Sequence, residues 1–266
     1  MLLAVAHGSR DAASSATIRA LLHRVRLLRP ELPVRCCFLD LNRPSLDQAL
    51  ALAQLQHQNP ILVPLLLSTG YHVRVDIPAA VAAAGLPTSQ VARALGPHPL
   101  LAEALADRLA ESGATPEAPV VLAGAGSSDP TAIADTTRMA SLLATHLGRP
   151  VTPAHLSAAS PTPHEAVAAL HSEGHREVAV ATYLLAPGFF ARRAATTEAR
   201  WTSAPLAAHE AVARLILHRY DEVSRSNSPA LTPTRRERSL SREVAMTTSG
   251  SSLSRSLILR SGAAAT

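Results

Sequence analysis

The sequence of 266 residues contains no lysine, so all 25 of its basic residues are arginine. Aromatic residues make up only 3% of the chain, and a hydrophobic core must therefore be built from leucine, valine and alanine. A chain of this length can bury one or two sizeable cores.

Cysteine is equally scarce, since the only two, Cys36 and Cys37, are adjacent. Neighbouring cysteines rarely meet disulfide geometry, so we expect free thiols and a reducing, cytoplasmic location. The apolar start from Leu2 to Ala6 is too short for a signal peptide. No apolar run reaches the ~20 residues of a membrane span, and we expect no membrane partner.

An excess of one charge sign is missing from most of the chain. Residues 224–266 contain seven of the 25 arginines and two of the 20 acidic residues. Residues 1–223 therefore contain 18 arginines and 18 acidic residues, and their charges balance. This neutral body lacks a basic footprint for nucleic acid, so no nucleic-acid partner is expected. Residues 224–266 are rich in serine and arginine without apolar periodicity, which predicts a disordered tail.

Short apolar runs alternate with stretches of helical periodicity. Ala12–Leu28 places its apolar residues at steps of three and four, and Ser45-x-x-Gln48 is a capping-box pattern at the start of a second helix. The alternation predicts an α/β fold with parallel sheets covered by helices. The runs typical of strands in the first half are Leu2–Ala6, Val34–Leu39, Ile61–Leu67 and a shorter one, Val91–Leu95.

The second half of the chain repeats the order of the first. Gly126 stands 118 residues after Gly8, and Gly188 stands 118 residues after Gly70. We therefore predict two similar doubly wound parallel-sheet domains followed by the tail. The predicted boundaries are 1–116, 117–223 and 224–266.

Three consecutive predicted strands each lead to a residue that can bind a metal. The first ends at His7 and the second at Asp40, while the third leads to His72. Ligands of parallel α/β sheets bind beyond the carboxyl ends of the strands. Two imidazoles and a carboxylate suit iron, cobalt, nickel or zinc and leave positions open for catalysis. The repeat lacks all three groups, having instead Ala125, Ser157 and Phe190.

Each of these residues also has a purely structural alternative. His7 could cap a turn, His72 could be an exposed loop residue, and Asp40 could be an N-cap. His98 is expected at a helix start, because its counterpart His209 is kept in the repeat. Four further histidines of the second half are expected at the surface; they are His155, His164, His171 and His175.

Several motifs resemble those of the sirohydrochlorin chelatases, the ATP-independent enzymes that insert cobalt or iron into a precorrin-derived ring. They are His7-Gly8-Ser9-Arg10-Asp11, Phe38-Leu39-Asp40, Pro44-Ser45, Val63–Leu67 and above all Gly70–Pro78. The resemblance covers about residues 1–223. It implies that His7 and His72 bind the metal and act catalytically. Asp40 matches a position where the family often has glutamate, so its shorter side chain is expected to act directly or through water.

The resemblance implies a cobalto- or ferrochelatase, a lyase of sirohaem or cobalamin biosynthesis. A divalent ion, Co²⁺, Fe²⁺ or Ni²⁺, is then a substrate beside the tetrapyrrole, and no nucleotide is needed. The two fused halves imply a monomer with an internal pseudo-dimer. We also expect substrate contacts around the metal, in which arginines face the carboxylates of the ring. The residues expected to make them are Ser9, Arg10, Arg43, Ser68, Thr69, Gly70, Tyr71 and Arg74.

Two other functions fit parts of the pattern. A protein that carries metal or tetrapyrrole without turnover would need the same ligands. A histidine-dependent phosphatase also has a His-Gly pair after its first strand, but the familiar pattern there has arginine immediately before the histidine. Here Ala6 precedes His7, which disfavours the phosphatase.

Overall fold

The computed structural model describes residues 1–87 and 90–227. Its strands are β1 (Leu2–Ala6), β2 (Val34–Phe38), β3 (Ile61–Pro64), β4 (Val120–Gly124), β5 (Val151–His155), β6 (Ala179–Tyr183) and β7 (Trp201–Thr202). Its helices are α1 (Ala12–Leu28), α2 (Leu46–Leu55), α3 (Ile77–Ala83), α4 (Pro99–Glu111), α5 (Pro130–Leu147), α6 (Pro163–Ser172), α7 (Phe189–Ala194) and α8 (Glu210–Ser226). A π-helical turn, His72–Asp76, leads into α3.

The strands form two parallel sheets. The first has the order β2-β1-β3 and the second the order β5-β4-β6-β7. In each half the first strand in sequence has neighbours on both sides, and every residue of β1 and of β4 is buried. Helices cover both faces of each sheet, which confirms the predicted α/β class.

One hydrophobic core is shared between the two halves. Leu2 and Ala4 on β1 belong to the same buried cluster as Val120 and Leu122 on β4, together with residues of α1, α4, α5 and α8. The opposite face of each sheet has its own smaller cluster, closed by α2 and α3 in the first half and by α6 in the second. Four helices therefore form a central layer between the two sheets.

The last helix of each half packs on the other half. Helix α4 contacts α5 and β6, and α8 contacts α1 and β3. Polar contacts reinforce this exchange: Arg29, just after α1, makes a two-pronged ion pair with Asp221 on α8, with distances of 2.5 and 2.8 Å. The buried guanidinium of Arg219 on α8 donates to the carbonyls of Ala94 and Leu95 at 2.9 and 3.0 Å. Each sheet is thus completed by a helix from the other half.

The local signals of the sequence largely explain the helix ends. Helix α1 has the predicted bounds, and α2 starts with the predicted reciprocal capping box between Ser45 and Gln48. His98 caps α4 and His209 caps α8, since each Nδ1 accepts a hydrogen bond from a backbone N–H in the first turn. Burial lowers the pKa of His98 to about 4, which keeps its ring neutral and able to accept. The predicted placement of His98 at a helix start is confirmed, and its counterpart His209 has the same position.

The structure corrects several sequence-based expectations. The strand predicted over Val91–Leu95 is only a single bridge between Val91 and Leu62, because Arg219 takes the carbonyls of Ala94 and Leu95 that a strand neighbour would use. The predicted surface position of His155 is wrong, since this residue at the end of β5 is buried. Helices α3 and α7 were not predicted.

The last helix extends beyond the predicted start of the tail at residue 224. Helix α8 continues to Ser226, three residues into the stretch assigned to the tail, because Val223 still packs against the shared core. The rest of the predicted disordered segment, residues 228–266, lies outside the described residues. Among the residues that are described, no helix is long and apolar enough to cross a membrane.

The exchanged helices predict that residues 1–116 cannot fold as a monomer. Without α8, the apolar side chains of α1 and β3 that this helix covers become exposed, at a cost of roughly 1.5–3 kcal/mol for each large side chain. The summed cost is comparable with the whole stability of about 5–15 kcal/mol of a typical domain. We expect circular dichroism of the fragment to show folding only at concentrations where it dimerises, whereas residues 1–227 unfold cooperatively as a monomer. A stably folded monomer of residues 1–116 would contradict this prediction.

Candidate metal and substrate site

Two histidines from different loops face each other beyond the carboxyl ends of β1 and β3. The ring centroids of His7 and His72 are 4.9 Å apart, and the two ring planes are nearly perpendicular, at 86°. His7 is exposed, and the side chain of His72 is 43% exposed. Adjacent and accessible imidazoles are a chemically suitable pair for a borderline dication. The structure thus brings together the two principal residues expected from the sequence.

His72 is held by a carboxylate that the sequence analysis did not single out. Its Nδ1 is 2.6 Å from Oδ2 of Asp76, four residues later in the π-helical turn. A proton on Nδ1 directed at the carboxylate leaves the lone pair of Nε2 free for a metal. The i, i+4 spacing inside the stretch Gly70–Pro78 was the signal that could have revealed this pair. Asp76 is therefore a candidate for orienting the ring of His72.

Asp40 does not complete a three-residue metal site with the histidine pair. Among residues 1–87 and 90–227, no group of three or more histidine, cysteine, aspartate or glutamate side chains is placed to hold a metal. The carboxylate of Asp40 instead accepts a hydrogen bond of 2.7 Å from the backbone N–H of Leu41. Of the two roles expected for Asp40, direct or through water, the described residues give no support to direct coordination, because a local turn engages the short side chain.

Glycine is required immediately after His7. A Cβ at Gly8 would lie 1.9 Å from the carbonyl oxygen of Asp40, and the φ of +101° is unfavourable for any other residue. The repeat keeps the same constraint, since a Cβ at Gly126 would lie 1.9 Å from the carbonyl oxygen of Ser157. This glycine therefore serves the packing of two loops, and the histidine beside it is what differs between the halves.

The loop after His7 is ordered by its own polar groups. The backbone N–H of Ser9 donates to Oδ1 of Asn42 at 2.6 Å, and Oγ of Ser9 accepts from the N–H of Asp11 at 3.0 Å. Gly188 of the second half lies close to this loop, because a Cβ there would be 3.8 Å from Oγ of Ser9. The loops of the two halves therefore meet beside the histidine pair.

Two equivalent ion pairs join the halves at this junction. Arg74, in the π-helical turn, donates to Asp129 at 2.6 Å, and Arg192, on α7, donates to Asp11 at 2.7 Å. Each aspartate is also the N-cap of the first helix of its half. The hydrogen bond from Arg192 lowers the pKa of Asp11, and that from the backbone of Thr131 lowers the pKa of Asp129. Arg74, expected to bind substrate, is thus already paired with a carboxylate.

The other expected substrate contacts differ in their exposure to solvent. Arg10, Arg43 and Tyr71 are exposed, whereas Ser68, Thr69 and Gly70 are half-buried. Gly70 has open space where a side chain would be. Tyr71 is 61% exposed, and so is its counterpart in the repeat, Phe189, at 66%. An exposed aromatic residue is therefore present on both sides of the junction in a chain that has few aromatics.

The second half uses the positions equivalent to His7, Asp40 and His72 for packing. Ala125 and Phe190 lie against the apolar cluster behind β4 and β6. The Oγ of Ser157 donates to the carbonyl of Ala125 at 2.8 Å, which closes the local turn. Phe190 therefore contributes to the apolar core of its own half, at the position where the first half has His72.

Comparison with known proteins gives a consistent set of relatives. The family model described as CbiX matches the chain over residues 1–112 and 119–223. A sirohydrochlorin cobaltochelatase of Priestia megaterium is 28% identical over 205 residues, which are 72% of this chain and 66% of that relative. A sirohydrochlorin ferrochelatase of the same organism is 30% identical over 196 residues, 70% of this chain and 73% of the relative.

A solved structure shares the fold. It is described as SirB from Bacillus subtilis with Fe³⁺, and it is 26% identical to this chain. The superposition has a TM-score of 0.71 and covers 85% of this chain and 97% of the other.

The contact between His72 and Asp76 predicts a loss of metal affinity in Asp76→Ala. Removing the partner of a ligating histidine typically weakens metal binding by about 10-fold or more, because the tautomer and the ring orientation are no longer held. We expect the dissociation constant for Co²⁺, measured by titration, to rise accordingly. Asp47→Ala, which removes an exposed carboxylate on α2, is the matched control and should bind like the unmodified chain. Equal affinities in the two variants would rule out an orienting role.

Proposed function

Because this chain belongs to the CbiX family, we propose that it is a sirohydrochlorin chelatase that inserts Co²⁺ or Fe²⁺ into the ring of sirohydrochlorin. The reaction belongs to sirohaem or cobalamin biosynthesis. The observation that carries the proposal is the pair of facing imidazoles, His7 and His72, with ring centroids 4.9 Å apart. The similarity of this chain to both a sirohydrochlorin cobaltochelatase and a sirohydrochlorin ferrochelatase supports the proposal.

The proposed mechanism uses the two imidazoles first as ligands and then as bases. His7 and His72 each give one nitrogen to the incoming dication and leave its remaining coordination positions open to the macrocycle. As the ring nitrogens bind the metal, two pyrrole N–H groups must lose their protons. The two positive charges that leave with these protons are replaced by the two charges of the dication. Each imidazole becomes free when its bond to the metal breaks, and its nitrogen lone pair can then accept one of these protons.

The aspartates have different roles in this proposal. Asp76 accepts the Nδ1 proton of His72 and keeps Nε2 directed at the metal. Asp40 acts through a metal-bound water, since its carboxylate is engaged with the backbone of Leu41. Its negative charge near the site still favours the arrival of a dication.

The macrocycle is a polycarboxylate, so exposed arginines around the histidines are suitable partners for it. Arg10 and Arg43 are exposed on the loops next to His7 and Asp40. Arg74 joins them only by leaving Asp129, and an ion pair whose arginine is half exposed to water contributes little. A substrate carboxylate can therefore compete for it. Tyr71 offers an aromatic face to the ring plane.

We expect the chain to work as a cytoplasmic monomer. If the two halves were separate chains, they would pair through α4 and α8. Within this chain, these surfaces are already occupied by the reciprocal contacts of the two helices. Both cysteines are free, and burial raises the pKa of the Cys36 thiol to about 11, so this thiol stays protonated.

The proposal predicts that His7→Ala and His72→Ala each abolish insertion. Loss of a ligand should lower the rate by about 100-fold or more, beyond the usual cost of losing a ligand's partner. Asp40→Ala should cost only about 10-fold, as expected of an indirect contact. The measurement is turnover of sirohydrochlorin with Co²⁺, followed by the change in its visible spectrum, with circular dichroism to show that each variant is folded. Near-normal rates in both histidine variants would place the site elsewhere.

The repeat asymmetry predicts one tight metal site per chain. A methyl group and a phenyl ring cannot coordinate a dication, and a serine hydroxyl is a poor ligand for borderline metals. Calorimetric titration with Co²⁺ should therefore give a single tight site that disappears in the double variant His7→Ala, His72→Ala. Phe190→His should add no second site, because Ala125 and Ser157 remain. Two equivalent tight sites would contradict the asymmetric assignment.

A further inference from the structure

The second half of the chain sends two buried polar side chains to the loop that carries His72. The phenol of Tyr183, at the end of β6, donates to the carbonyl oxygen of Leu67 at 2.7 Å. The carboxylate of Asp135, on α5, accepts from the backbone N–H of Thr69 at 2.6 Å. The segment between β3 and His72 is thus held at two points by the half that has lost the metal-binding groups.

Both anchoring side chains are almost fully buried, at 1% exposure for Asp135 and 2% for Tyr183. Burying such groups is unfavourable unless their hydrogen bonds are made. The carboxylate of Asp135 has a second partner in Arg138, one turn along α5. Burial, together with the nearby charge of Asp135, raises the pKa of Tyr183, so the phenol stays protonated and remains a donor.

The internal repeat shows that these anchors are specific to one loop. Subtracting the offset of 118 residues places Thr17 at the position equivalent to Asp135 and Leu65 at that of Tyr183. Neither can supply a carboxylate or a phenol to the corresponding loop of the second half. The second half therefore supplies a carboxylate and a phenol to the loop that leads to His72. The first half supplies neither group to the loop that leads to Phe190.

Gly96 provides the space for one of these hydrogen bonds. A Cβ there would lie 2.0 Å from the hydroxyl oxygen of Tyr183 and 2.3 Å from the carbonyl oxygen of Leu67. Any side chain at this position would push the two oxygens apart. The segment before α4 is thus also shaped around the contact between Tyr183 and the loop.

We propose that Asp135 and Tyr183 are positioning residues that fix loop 67–72, so that His72 faces His7 in a geometry ready for the metal. The inference rests on the proposed function, because it assigns the anchors to the same histidine pair. Thr69 is three residues from His72, so a shift of the loop backbone moves the imidazole directly. Metal affinity and the geometry of the bound ion should therefore depend on residues that do not touch the ion.

The test uses Tyr183→Phe, Asp135→Ala and Asp135→Asn in the full-length chain. Bound Co²⁺ reports its coordination geometry through visible absorption. We expect Tyr183→Phe and Asp135→Ala each to weaken Co²⁺ binding by about 10-fold, which is the lower end of the range for losing a contact that supports a metal ligand. Each variant should also change the absorption bands. Asp135→Asn keeps an oxygen that can accept from Thr69, so it should restore most of the affinity. If Asp135→Ala fails to fold, Tyr183→Phe decides the outcome.

Thr182→Val is the matched control for loss of stability alone. Thr182 precedes Tyr183 on β6, is equally buried, and donates through Oγ1 to the carbonyl of Ser203 at 2.7 Å. This hydrogen bond ties β6 to the segment after β7 and does not reach loop 67–72. The control should lower the melting temperature as Tyr183→Phe does, while leaving Co²⁺ affinity and absorption unchanged.

The outcomes separate this inference from the proposed function. If Tyr183→Phe and Asp135→Ala bind Co²⁺ with the affinity and spectrum of Thr182→Val, the positioning role is refuted while the metal site stands. If instead His7→Ala and His72→Ala bind Co²⁺ like the unmodified chain, the metal site itself is refuted, and the inference fails with it.

Discussion

The exchange of α4 and α8 is the constraint on which the rest of the structure depends. Each sheet has a face that would be exposed without a helix from the other half, and the central layer joins both sheets into one core. Burial of this apolar surface is the dominant favourable term in folding. It fixes the relative position of the two halves, and with it the distance between loops that lie far apart in sequence.

The proposed site is a consequence of that fixed arrangement. Its loops meet where the halves join, with Gly188 beside Ser9 and with Tyr183 and Asp135 against the backbone before His72. The buried anchors are directional and sheltered from water, whereas the ion pairs of Arg74 and Arg192 are exposed and contribute little. The junction therefore combines buried hydrogen bonds that fix the loop before His72 with exposed ion pairs that can separate at low cost. This combination suits a site that must hold a small ion and admit a large ring.

The two halves share a scaffold but have divided its tasks. Both keep the glycine after the first strand, the N-capping aspartate and the arginine that reaches it from the other half. Only the first half has the histidine pair. Only the second half has the carboxylate and phenol that hold the loop of the first. Among these groups, those that both halves retain serve the packing, and those that differ lie around the proposed metal site.

The sequence by itself determined the α/β class, the positions of β1, β2 and β3, the bounds of α1, the capping box at Ser45 and the repeat. These follow from local periodicity and turn chemistry, which act over a few residues. The meeting of His7 and His72 was also predictable, because parallel strands end at one edge of a sheet. Only the tertiary structure decided the exchange of α4 and α8, the pairing of Arg74 with Asp129 and the engagement of Asp40 by its own turn. It likewise revealed the anchoring of Thr69 by Asp135, because that contact joins residues 66 positions apart and leaves no periodic trace in the sequence.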